Sequence, residues 1–241
     1  MRYELYYWPH IPGRGEFVRL SLEAAGAEYA DIGRLPEAEG GGRPAIVRLL
    51  EDAGHRRTPF APPILKAGDL LLSQTANILQ YLGPRLGLVP ADDASRYWAH
   101  QLQLTLADLL VEVHDTHHPI AKSLYFEEQK AEALRRAANF LELRLPKYLR
   151  YFESVLEANG SGAGLVGADR AYPDLSLFHM LAGLRYAFPN AMLRMTPAYP
   201  RLDALHRRVA DEPRIAAYLA SPRRMAFNDK GIFRHYPELD P

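Results

Sequence analysis

The stretch Pro63-Ile64-Leu65-Lys66-Ala67-Gly68-Asp69-Leu70-Leu71-Leu72-Ser73-Gln74-Thr75-Ala76-Asn77-Ile78-Leu79-Gln80-Tyr81-Leu82 carries three structural signals in twenty residues. Ile64–Lys66 and Leu70–Ser73 are short apolar runs separated by Ala67-Gly68-Asp69, so they read as two strands joined by a tight turn. Thr75, a residue that caps helices well, opens a helix to about Leu82, and Gly83-Pro84 is expected to stop it. A hairpin that leads straight into a helix indicates a small α/β layer with helices covering a sheet.

The residues upstream complete that layer. Tyr3-Glu4-Leu5-Tyr6-Tyr7-Trp8 is aromatic and bounded by Pro9, as a buried strand would be. After the loop His10–Gly15, a helix is expected from about Glu16 to Ala25, with Phe17, Leu20 and Ala24 on one face. Gly26 stands where a left-handed residue ends a helix. A short strand near Tyr29–Ile32 follows. Residues 33–62 have little pattern: Gly40-Gly41-Gly42 suggests a loop, and Ala45–Leu50 one or two helical turns.

Downstream the texture changes. Pro90-Ala91-Asp92-Asp93 reads as a linker and helix start. A long helix is expected over about Ala94–His118, stopped by Pro119 because the residue before proline is pushed out of the α region. A second spans about Glu127–Leu156 with a break at Pro146, and shorter ones fit 174–185, 200–210 and 213–220. The last twenty residues are irregular and carry several aromatics. The expected domains are therefore 1–85 (α/β), a linker 86–93, and an all-helical unit 94–241.

Composition narrows the function. Of 241 residues, 48% are hydrophobic, enough for substantial cores. Lys plus Arg (29) equals Asp plus Glu (29), which leaves no global field to draw a polyanion, so nucleic acid is not an expected partner. With no cysteine, disulfides, thiolate metal sites and a cysteine nucleophile are excluded; any thiol chemistry needs sulfur from the substrate. The N-terminus lacks signal-peptide character and no apolar run nears the roughly 20 residues of a membrane span, so a cytoplasmic, non-membrane protein is expected.

Two stretches resemble the cytosolic glutathione transferases, in particular their tyrosine-dependent sigma, mu, pi and alpha branches. One is Tyr3–Trp8 leading into Gly13-Arg14-Gly15-Glu16-Phe17-Val18-Arg19-Leu20. The other is the Pro63–Leu82 block, similar to the family's cis-proline, hairpin, Gln-Ser and helix. Weaker echoes lie at Leu165–Phe178, similar to the segment with a buried capping aspartate (Asp174), and at Pro213–Leu219. The resemblance implies a thioredoxin-like N-terminal domain that binds glutathione as co-substrate, a helical domain that binds a small hydrophobic electrophile, no metal, and a homodimer.

The chemistry needed is activation of a thiol. A free cysteine thiol has a pKa of about 8.5, and only its thiolate is nucleophilic. Lowering the pKa by about two units takes roughly 2.7 kcal/mol, most of which one hydrogen bond to the anion can supply at about 1.5–3 kcal/mol. A tyrosine at a strand end stays protonated and projects a rigid donor. The resemblance places that role on Tyr7, with Trp8 and Arg14 beside it. Because the loop to Glu16 is one residue longer than the family's, Trp8 is an alternative in register, and Tyr6, which points to the opposite face, is the fallback.

The resemblance puts the γ-glutamyl carboxylate at Gln74 and Thr75, where a helix N-terminus offers free N–H groups. It makes Pro63 a cis-proline. Pro62, lacking an N–H, leaves only a carbonyl for the cysteinyl unit. Arg43, Arg48, Arg56 and Arg57 are the candidate cations for the glycyl carboxylate. His114, His117 and His118 share a helix face, but no partner ligand is evident. His114, His118 and Tyr125 therefore read as the polar wall of an electrophile pocket, or the histidines as a hydrogen-bond cluster. Asp174 reads as half of a reciprocal cap, its usual hydroxyl partner replaced by Ala171. Alternatives to conjugation are a non-catalytic binding or assembly protein on the same fold, or a glutathione-dependent isomerase or peroxidase.

Overall fold

A computed structural model describes residues 2–160 and 164–241. The first half contains β1 (Tyr3–Tyr6), α1 (Gly15–Ala25), β2 (Tyr29–Asp31), α2 (Gly42–Glu51), β3 (Ile64–Ala67), β4 (Leu70–Ser73) and α3 (Thr75–Arg85). The four strands form one sheet in the order β2-β1-β3-β4. β1 runs parallel to β2 and antiparallel to β3, and β3–β4 is the expected hairpin, with Ala67 opposite Leu70. Alternation along β1 buries Tyr3 and Leu5 with Val18, Leu22, Ile78 and Leu82 beneath α1 and α3. Gly26, with φ 65°, ends α1 as its position predicts, and its N–H bonds back to the Glu23 and Leu22 carbonyls.

The second half is helical: α4 (Asp93–Asp115), α5 (Lys130–Asn139), α6 (Leu145–Ala158), α7 (Tyr172–Ala187), α8 (Pro189–Met195), α9 (Pro200–Asp211) and α10 (Pro213–Leu219). Asp92 caps α4 by accepting the Ser95 N–H at 2.8 Å. α7 is buried on almost every side at the centre of the larger core. α1 of the first half packs on α7 and α10, so the two halves share a wall.

Four expectations about elements need correction. α3 does not stop at Gly83-Pro84 but runs to Arg85, with Pro84 in its last turn; the i−4 carbonyl that proline leaves without a helical donor belongs to Gln80, an exposed residue. α4 ends at Asp115, three residues short of the expected His118, leaving His117 and His118 outside the helix. The break in the 127–156 segment is a π-helical turn at Phe140–Arg144, and Pro146 lies just after it in the first turn of α6, where proline is tolerated. α8 was not anticipated; Pro189 opens it from the first helical position, where proline is tolerated.

Asp174 is the most constrained polar residue of α7. It is 1% exposed. Its two carboxylate oxygens accept the Leu165 N–H at 2.8 Å and the Ala171 N–H at 2.7 Å. Ala171 has no side-chain acceptor to return the bond, and the Asp174 N–H goes to the Ala171 carbonyl at 3.0 Å instead. Burial pushes the Asp174 carboxyl up to about 6, against the lowering effect of those two donors.

Candidate functional site

Tyr7 follows β1 and is 4% exposed. Its hydroxyl oxygen accepts the Arg14 N–H at 2.8 Å, so the ring lies along the loop that opens α1. Glycines make this possible. A Cβ on Gly13, whose φ is +43°, would stand 2.2 Å from the Tyr7 hydroxyl oxygen, and one on Gly15 would stand 2.5 Å from its ring. Burial raises the Tyr7 pKa, more than the Arg14 N–H and the Arg14 and Arg19 charges lower it. The phenol is thus held protonated, with its oxygen already accepting and its own O–H left to donate.

Tyr6 belongs to the other face. Its hydroxyl donates to Glu4 at 2.8 Å, and it lines a surface recess with Arg48 rather than the Trp8 side.

Two cavities flank the Tyr7 loop. One, of about 770 Å³, is lined by Trp8, Pro9 and His10 with Gly33–Glu37, Gly42 and Arg43. Of the four arginines singled out in the sequence, Arg43 is the one that reaches it; Arg48 lies in the recess beside Tyr6 and donates to the Gly40 carbonyl at 3.1 Å. Arg34, which sequence reasoning passed over, also lines the cavity, while its guanidinium donates to the carbonyls of Pro222 and Arg223.

The second cavity, of about 410 Å³, lies between the start of α3 and the face of α4. Its walls include Arg14, Phe17, Gln74, Thr75, His100, Gln103 and Asp108. Here the cap differs from expectation. Gln74, not Thr75, is the N-cap residue, with a positive φ of 68° and no side-chain capping bond. A non-glycine side chain at positive φ is costly and concentrates at functional positions. Thr75 is the first helical residue, so its hydroxyl is free of capping. Thr75 Oγ1, His100 Nδ1 and Gln103 Oε1 are all buried without a hydrogen-bond partner. Polar atoms collected this way beside a helix N-terminus suit a charged, hydrogen-bonding ligand.

Tyr7 itself lines neither cavity, but it is tied to both: Trp8, its neighbour, lines one, and Arg14, bonded to its hydroxyl, lines the other. The Pro62–Pro63 peptide is cis. Because Tyr6 pairs with Ile64, Pro63 stands beside Tyr7 one step further along the two strands.

Over residues 114–222 the chain matches the family model described as glutathione S-transferase, C-terminal domain. The match covers most of the helical half, and the curated relatives it resembles carry the same family name along nearly their whole length. It is similar to a glutathione S-transferase of Plasmodium falciparum, 24% identical over 92% of this chain and 97% of the relative. It is also similar to glutathione S-transferase P 1 of Xenopus laevis, 28% identical over 92% and 93% of the two chains. Among solved structures, the pi-class glutathione S-transferase of Onchocerca volvulus superposes with a TM-score of 0.73 at 21% identity, covering 96% of this chain and 99% of that one. The glutathione transferase fold read from the Pro63–Leu82 block and the helical second half is therefore the fold observed.

His114 Nδ1 lies 3.2 Å from the neighbouring Asp115 carboxylate, and its ring packs against those of His117 and His118. His117 Nε2 lies 2.8 Å from the Ile232 carbonyl, which fixes a proton on that nitrogen, and its Nδ1 faces His118 Nδ1. Among the described residues no three His, Cys, Asp or Glu side chains are arranged to hold a metal ion. His114 and His118 line neither cavity, and Tyr125 is 77% exposed at the surface. Burial lowers the His114 pKa, against the raising effect of the neighbouring Asp115 carboxylate.

Burial lowers the His117 pKa to about 3, although the Ile232 carbonyl opposes this, and burial lowers His118 to about 4. Below the ordinary value of about 6.5 the unfolded chain therefore takes protons that the folded chain refuses. Stability is full above pH 6.5 and is lost as pH falls toward these values. Urea unfolding at pH 5.5 should show a loss of about 1 kcal/mol from His117 alone relative to pH 6.5. A His117→Asn variant should show a flatter pH dependence; an unchanged slope would contradict this account.

Proposed function

We propose that this chain is a glutathione transferase that joins the glutathione thiolate to a hydrophobic electrophile, with Tyr7 as hydrogen-bond donor to the sulfur. The supporting observation is the Tyr7 loop: a protonated phenol with its O–H unused, linked through Trp8 and Arg14 to two cavities that both suit carboxylates. Glutathione has a carboxylate at each end and its thiol between them. The γ-glutamyl end fits the α3 N-terminus, with Gln74 and Thr75 as its contacts. The glycyl end fits the cavity of Trp8 and Arg43. The cysteinyl unit lies along Pro62 and Pro63, where Pro62 offers a carbonyl and no N–H. Arg14 stands beside the thiol on the loop, and His114, His118 and Tyr125 belong to the helical-domain side from which the electrophile approaches.

Isothermal titration with glutathione tests the binding half. Gln74→Ala should weaken binding by about tenfold, the loss of one charge-assisted hydrogen bond. An unchanged Kd would remove the γ-glutamyl assignment.

The working form is a cytoplasmic homodimer on this reading. Phe60 is 90% exposed, and Leu104 and Val111 on α4 are exposed as well, an apolar surface of the kind a partner subunit covers. Sedimentation at micromolar concentration should give twice the chain mass, and a monomer would count against it. No helix among the described residues is long and apolar enough to cross a membrane.

A further inference from the structure

Beneath the Tyr7 loop lies a buried cluster of charges that the proposed chemistry has not yet used. Arg19 and Glu16 of α1 are both 0% exposed. Arg19 donates from Nε to Asp31 at 2.6 Å, and its Nη1 lies 3.4 Å from both Glu16 and the Pro12 carbonyl. Its guanidinium carbon is 5.8 Å from the centre of the Tyr7 ring. Burial works against the Arg19 charge, but Asp31 and Glu16 outweigh it and raise its pKa.

Glu16 is completed from the far end of the chain. Its Oε1 accepts the Tyr218 hydroxyl at 2.8 Å. Arg224 Nη1 stands 2.6 Å from the same oxygen, a charge contact whose angles fall outside those of a hydrogen bond. Two cations and two carboxylates therefore cancel formally under the loop. The other titratable groups facing it are Arg14, on the loop itself, Tyr29 of β2, whose phenol burial holds protonated, and His179 of α7, whose imidazole burial holds well below its usual range and hence neutral. Charges this deep are little screened by salt, so an unbalanced one acts on whatever ionises nearby.

We propose that Arg224 is a positioning residue of the thiol site: by balancing Glu16 it keeps Arg19 against Tyr7 and sets the potential in which the bound thiol ionises. The inference rests on the reading that the thiol meets Tyr7, and its test separates the two. The pKa of glutathione bound to the full-length protein is read from thiolate absorbance against pH. Arg224→Met leaves a carboxylate unbalanced, so the thiol pKa should rise by about half a unit or more, about a threefold loss of thiolate at neutral pH. Glu16→Gln leaves a cation unbalanced, so the pKa should fall. Arg224→Lys should restore the wild-type value.

Shifts of opposite sign are what charge predicts; loosened packing would move both variants the same way or neither. Shifts of the same sign, or none, overturn the proposal. Should Arg224→Met fail to fold, Glu16→Gln decides, since an unmoved or raised pKa there also overturns it. Tyr7→Phe is measured alongside. If it leaves the pKa unmoved, the Tyr7 reading fails; if it raises the pKa while the charge variants do not diverge, only the Arg224 proposal fails.

Discussion

Tyr7→Phe is expected to lower kcat for conjugation by about two orders of magnitude while changing the Kd for glutathione by less than about threefold. The magnitude follows from the thiol. Without help only a few per cent of it is ionised at pH 7, and a two-unit drop in pKa corresponds to roughly 2.7 kcal/mol, about a hundredfold in thiolate-dependent rate where ionisation limits turnover. One O–H donor aimed at the anion supplies most of that. The ground-state contacts of glutathione would lie elsewhere, at Gln74, Thr75 and the Trp8 cavity, so affinity should survive. The substitution is also gentle on the fold. The ring stays against Gly13 and Gly15, and the loss is a single oxygen that accepts the Arg14 N–H. Stopped-flow or steady-state rates with a reactive aryl halide, together with titration calorimetry, check both halves. Equal losses in kcat and affinity, or no loss at all, would reject Tyr7 as the donor.

The largest expected effect on stability comes from Asp174→Ala. The wild-type carboxylate satisfies two backbone N–H groups in a region with no access to water. Alanine strands both. A buried donor left without a partner costs about 1–3 kcal/mol, so the variant should lose about 2–5 kcal/mol. For a chain of this length that is a fall in Tm on the order of 10 °C. Asn should lose less, because its amide oxygen keeps one of the two bonds. Thermal melts of the three proteins check the ranking, and a Tm for Asp174→Ala within about 2 °C of wild type would show that the 164–171 segment finds other acceptors.

The parts legible in the sequence were those with local causes. The β3–β4 hairpin, the turn at Gly68 and the end of α1 at Gly26 each follow from neighbouring residues. The parts missed have causes that are distant or ambiguous in one dimension. Pro84 reads as a stop but lies inside a last turn, and Pro189 opens a helix that nothing nearby announced. Thr75 is the better capping residue by type, yet Gln74 takes the cap at positive φ because the chain must turn there. His117 and His118 look like helix-face ligands until α4 is seen to end at Asp115.

The site shows the same division. Gln74, Thr75 and Arg14 come together in one cavity, and Trp8 and Arg43 in another, while Arg34 lay in a stretch without pattern. Glu16 and Arg19, three apart on a helix, would ordinarily be taken for a solvated surface pair. Only the fold reveals that Tyr218 and Arg224, some 200 positions away, enclose them.

That enclosure bears on how such a chain can be recombined. The first 85 residues look like a module that could be cut out or exchanged with the equivalent piece of a relative. Excised, they would carry Glu16 to a surface without the hydroxyl and guanidinium that now meet it. Grafted onto a foreign helical half, they would bury a carboxylate against whatever residue happened to stand at the place of Arg224. The boundary at which the chain can be crossed over without penalty is therefore not the linker before α4. A parent's opening helix and its residues 218–224 have to be inherited together.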